Sequence, residues 1–131
     1  MGLEEPYAKR TVEGDLGLRV SATSLMDAIV RNRMPRLIRA ALEGNKTLLR
    51  MEYLTSNTAT LPFELQEWEI DTKMAAAASF IASERHAGRL ETAKTDFGTT
   101  TMVLKGKDLT QMGTLIGTGG ILAFGRTQEI V

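Results

Sequence analysis

Thr114-Leu-Ile-Gly-Thr-Gly-Gly-Ile-Leu-Ala-Phe124 decides how this chain is read. A short apolar run enters a loop with glycines at 117, 119 and 120, and a second apolar run leaves it. That pattern predicts strand, tight turn and helix, with the strand near 113–117 and the helix near 119–126. Lacking Cβ atoms, Gly117, Gly119 and Gly120 are free to take positive φ, so a flat or anionic group can lie against the main chain at the start of the helix. The same glycines also suit a purely geometric turn, and so short a pattern takes its meaning from its surroundings.

The surroundings are those of one ordinary domain. The 131 residues are 43% hydrophobic, enough for a core without staples. With no cysteine there is no disulfide framework, thiol catalysis or cysteine-ligated metal, which fits a reducing interior, and the expected location is cytoplasmic. Sixteen basic residues balance sixteen acidic ones, so no global field draws the chain to nucleic acid or to an anionic membrane. No apolar run nears the roughly 20 residues of a membrane span, and Met-Gly-Leu-Glu-Glu-Pro lacks a signal-peptide core; the expectation is a soluble, unexported chain. Pro6 occupies the position where a myristoylation motif needs Ser or Thr.

Working outward from the glycine loop, residues 99–105 alternate β-branched and apolar side chains as a strand does, and Gly106-Lys-Asp turns the chain before a single helical turn near 109–112. Residues 7–12 resemble a short strand. A helix is expected over 15–31, with Asp15 as N-cap and Leu18, Ala22, Leu25, Met26 and Ile29 as its buried stripe. A second is expected over 35–43, with Pro35 in its first turn, Leu37, Ile38, Ala41 and Leu42 as its apolar face and Gly44 as C-cap. Residues 48–54 fit a helix or an extended segment, and residues 55–60 read as a surface loop. Good helix formers, the alanine run 75–78 and the Glu69/Lys73 pair indicate a long helix over 64–87, closed by Gly88. The fold class is therefore mixed α/β and helix-rich, with a small sheet of three short strands whose open edges point to a homo-oligomer.

Three features bear on chemistry. Asp96-Phe-Gly-Thr-Thr-Thr101 resembles the first phosphate loop of actin-like ATPases, but the preceding Leu90-Glu-Thr-Ala-Lys-Thr95 is too polar for the buried strand such a loop requires, which leaves a turn into strand 99–105. His86, the single histidine, cannot build a histidine metal cluster, and with Arg85 it suits the carbonyl end of a helix dipole better than a ligand contact. Arg31, Arg33, Arg36 and Arg39 form a basic cluster whose ordinary role is a solvated face.

Lys9-Arg-Thr-Val-Glu-Gly-Asp-Leu-Gly-Leu-Arg-Val-Ser-Ala22, the segment Arg85-His-Ala-Gly-Arg-Leu90, and Gly106-Lys-Asp-Leu-Thr110 followed by Ile116-Gly-Thr-Gly-Gly120 together resemble the glutamate mutase accessory protein family, also called MutL and unrelated to the mismatch-repair protein of that name. The resemblance implies a partial actin-like, ribonuclease H-like ATPase domain. In that family it implies a reactivating factor for adenosylcobalamin-dependent mutases of the glutamate mutase or ornithine aminomutase type, with a mutase subunit as partner.

Carried onto this sequence, the resemblance makes Gly117, Thr118, Gly119 and Gly120 the adenosine-side loop, with ATP or ADP as ligand. It makes Glu13, Gly14 and Asp15 a helix start bordering the nucleotide, and the helix ending at Arg85 and His86 the opposing wall. Members of the family are several times longer, and their two phosphate-binding hairpins would lie upstream of Tyr7. The chain is thus expected to match the C-terminal portion, with magnesium bound only when the other half is present and no catalysis by this chain alone. The alternative is a non-catalytic interaction module that docks on a mutase or partner chain through the arginine face. A sugar- or acetate-kinase relative is a more distant alternative, since fold does not fix function.

Overall fold

The computed structural model describes residue 8 and residues 10–125. The chain divides into two compact units, one holding Glu13–Ala82 with Ile116–Val131 and the other Met1–Val12 with Ser83–Leu115.

The larger unit is helical. A 3-10 turn, Gly14–Leu16, precedes α1 (Ala22–Arg31), α2 (Arg36–Leu42), α3 (Asn45–Ser56) and α4 (Leu65–His86), whose last turn lies in the smaller unit; a single turn, α5 (Gly120–Phe124), closes the described part. The expected helix 15–31 is divided because Gly17 is extended (φ −76°, ψ 144°), so Asp15 is inside the 3-10 turn and not an N-cap. Its apolar stripe nevertheless packs as read. Ala22, Leu25 and Ile29 are buried, and Leu18 and Met26 lean on the same cluster. The helix ends at Asn32, whose backbone N–H and side-chain amide both donate to the Ala28 carbonyl, at 3.1 and 2.6 Å.

Residues 45–56 resolve to helix α3, burying Thr47, Arg50, Met51 and Leu54. Gly44, expected as the C-cap of the preceding helix, serves instead as the N-cap of α3 with φ 135°, a conformation L side chains avoid. Leu37 projects from α2 to solvent while Leu42 is buried. In α4, Ile70, Met74, Ala75, Ala76, Ala77, Ala78 and Ile81 are buried on more than one side, and alanine suits that position because it surrenders no rotamer freedom.

The smaller unit carries a two-stranded antiparallel hairpin, β1 (Arg89–Lys94) and β2 (Thr100–Lys105), in register from Arg89↔Lys105 to Lys94↔Thr100. The sheet thus has two strands among the described residues, where three were expected. Strand 99–105 is present. Residues 113–117 carry no strand: Leu115 and Ile116 are exposed, with no neighbouring strand among the described residues to complete a ladder. Of the segment 7–12, residues 8 and 10–12 form no strand, and Tyr7 and Lys9 lie outside the described residues, as does Arg126 at the end of the expected helix 119–126. The unanticipated strand is β1, which turns at Asp96-Phe-Gly. Thr95 N–H donates to the Thr99 carbonyl at 2.8 Å and Gly98 sits at φ 73°, the left-handed residue a three-residue hairpin loop requires. Asp96 is exposed at that tip, as the reading of a turn into the strand implied.

Candidate functional site

Beside the glycine loop, within the larger unit, lies a cavity of about 480 Å³. Gly120, Ile121 and Phe124 form one wall, Leu61 and Pro62 a second, and Trp68 from the first turn of α4 a third; Arg19 is the charged side chain among the described lining residues. Each wall has a local cause. Pro62 ends a loop and feeds α4, placing Trp68 one turn into the helix, and the glycines let the chain reverse next to it. Gly119 has φ 106°, and a Cβ at Gly119 or Gly120 would meet nothing within 4 Å, whereas one at Gly117 would lie 2.9 Å from Leu122 Cδ1. Gly119 and Gly120 therefore face open space, and a side chain at Gly117 would have to displace the Leu122 Cδ1 methyl. Helix α5 is a single turn, so the helix-terminus field on which the anion argument leaned is weak here.

Behind the cavity stands a buried ion network. Arg19 donates from Nη1 to the Leu18 carbonyl at 2.9 Å and from Nη2 to Asp71 Oδ2 at 3.2 Å. Asp71 is fully buried and also receives Arg50, through Nε at 3.0 Å and Nη2 at 3.3 Å. Arg50 Nη1 continues to Glu67 Oε1 at 2.6 Å, and Glu67 Oε2 accepts the backbone N–H groups of Phe63 at 2.7 Å and Glu64 at 3.2 Å. Glu67 thereby makes the return half of a capping box for α4, and one chain of charges runs from the helix start to the cavity guanidinium.

Those backbone hydrogen bonds, aided by Arg50, hold the Glu67 carboxyl below its ordinary value of 4.5 against the opposing effect of desolvation. A depressed carboxylate contributes stability that is fully present above its unfolded pKa and is lost as pH falls through the folded one. Glu67→Gln should therefore flatten the acid side of the stability profile below about pH 4.5 while changing little of its slope at neutral pH. Urea midpoints taken between pH 3 and 7 check this; parallel profiles for the two proteins would remove Glu67 from the account.

The other anticipated residues fall elsewhere. Gly14 and Asp15 begin the 3-10 turn of the larger unit, Glu13 is its N-cap, and none of the three is among the cavity's lining residues. Thr118 is exposed in the loop. Arg85 and His86 close α4 in the smaller unit, where the His86 ring Nδ1 lies 3.2 Å from Thr11 Oγ1 and its carbonyl accepts Lys107 N–H at 3.0 Å; the wall that α4 supplies to the cavity comes from its beginning, at Trp68. Among the arginines of the basic cluster, Arg39 pairs with Glu43 at 3.3 Å on an exposed surface. The sequence reading did not find Trp68, Arg19, Asp71 or Arg50. The Glu64/Glu67 spacing was the one available signal, since a carboxylate three residues into a helix is a cap motif; Arg19 and Asp71, 52 residues apart, left none.

The profile of the family described as MutL protein matches residues 1–131. The chain belongs to the MutL protein family. It is 38% identical over 121 residues to Protein MutL of Clostridium tetanomorphum, an alignment covering 92% of this chain and 26% of that protein. The chain thus spans about a quarter of the length of this MutL relative. No solved structure matches it significantly. No described helix is long and apolar enough to cross a membrane.

Proposed function

We propose that this MutL-family chain supplies the adenosine side of a nucleotide site in an accessory factor for adenosylcobalamin-dependent mutases, within a partial actin-like ATPase architecture. The carrying observation is the cavity at Gly120. It is of the size that takes small ligands, roughly 300–1,000 Å³, its walls are apolar with an indole for stacking, and main chain without side chains lines its mouth. An apolar lining with an indole suits the flat face of a nucleoside base. Arg19, already paired with Asp71, is the sole charged group among the described lining residues, so the phosphates and their magnesium require residues from the rest of a MutL protein. In such a factor, bound nucleotide would drive the exchange of damaged cobalamin on a mutase subunit. This chain's part is to hold the nucleoside and exclude water from its face.

Trp68 is the single tryptophan and lines the cavity, so its fluorescence reports occupancy directly. ADP at millimolar concentration is expected to quench it and to shift the amide resonances of residues 117–120. Gly120→Leu, whose Cβ has no atom within 4 Å in the free protein, should fill the mouth and weaken the response by at least about tenfold while leaving the fold intact. A Trp68 signal insensitive to ADP, ATP and adenosine in a folded protein would end the nucleoside reading.

A further inference from the structure

We infer that the outer edge of β2 is completed by an extended strand from the part of a MutL protein that this chain does not cover. Every residue of β2 is exposed, and β1 is exposed but for a half-buried Ala93. An isolated two-stranded hairpin is marginal in water, and the smaller unit holds no other strand among the described residues.

The pairing identifies which groups are open. The Thr95 to Thr99 bond marks that pair as hydrogen-bonded, so the alternation of an antiparallel ladder makes 93/101, 91/103 and 89/105 the bonded pairs. The main-chain N–H and C=O of Thr100, Met102 and Leu104 therefore point away from β1.

The two edges are not alike. β1 carries Arg89, Glu91 and Lys94 in six residues, the charged guarding expected of a terminal strand. The run Thr100-Thr-Met-Val-Leu104 of β2 has neither charge nor proline, a composition proteins keep for strands flanked on both sides. Leu90, Met102 and Leu104 share one face and are 67%, 59% and 44% exposed, so the incoming strand continues an apolar face. The occupant is sought outside the chain because 74% of the length of the Clostridium tetanomorphum relative has no counterpart here, the alignment covering 26% of it.

Amide hydrogen exchange on this chain and on full-length Protein MutL of Clostridium tetanomorphum tests the inference. In this chain, Thr101 and Val103 should be protected and Thr100, Met102 and Leu104 should exchange fast. In the longer protein all five aligned positions should be protected, the outward three slowed by roughly tenfold or more. Met102→Pro removes only an outward donor, so it should leave the register of the isolated hairpin intact, whereas proline at the aligned position of the longer protein should disrupt the sheet. Equal exchange at the outward positions in both proteins would overturn the inference. So would a dimer of this chain that already protects them, since a second copy would then be the occupant.

Discussion

Replacing Asp71 with alanine is expected to lower the unfolding free energy by about 3–5 kcal/mol, the usual consequence of removing one partner from a buried pair. The carboxylate has no solvent contact, and Arg50, whose side chain is 6% exposed, depends on it for two hydrogen bonds. Truncation leaves that guanidinium buried with Glu67 as its remaining carboxylate partner. Arg19→Ala provides the contrast. Arg19 is 28% exposed and water can take over its lost contacts, so a loss several times smaller is expected. Urea unfolding followed by Trp68 fluorescence measures both, and a double-mutant cycle of Asp71 with Arg50 isolates their coupling. A loss under about 1 kcal/mol for Asp71→Ala would show that the network stabilises nothing.

Leu25→Ala is the second large effect, about 2–5 kcal/mol. Leu25 is fully buried at the centre of α1, within the cluster that joins Ile29, Met51, Leu54, Met74 and Ile81. Its removal takes about three buried carbons out of the cluster and leaves a void that α1 and α3 can only partly close. Leu37→Ala, on an exposed side chain of α2, should change stability by no more than about 0.5 kcal/mol. Equal losses at the two positions would contradict the packing described.

Most of the helical unit was legible because its signals are local. Helix formers and the alanine run placed α4 within a residue of its bounds, and the stripe from Leu18 to Ile29 named true core residues even though Gly17 delays the helix. Strands fared differently. β1 has no buried face, so Leu90-Glu-Thr-Ala-Lys-Thr95 carries no alternating pattern to read. Residues 113–117 have a strand's composition without a strand's neighbour, and a ladder is a property of two segments. The candidate site divides along the same line. Glycines that must turn the chain are visible in sequence; Trp68 and Arg19 are brought to the cavity, and Asp71 to Arg19, by tertiary packing, which no spacing encodes.

The tie between Arg19 and Asp71 carries a consequence for selectivity. A cation already neutralised by an inner carboxylate offers a visiting anion little net attraction, because whatever it gives outward it must withdraw from Asp71. Under the proposed nucleoside reading, discrimination at this cleft falls to shape and ring stacking, and affinity should respond weakly to ionic strength: adenosine and ADP would compete for it on nearly level terms.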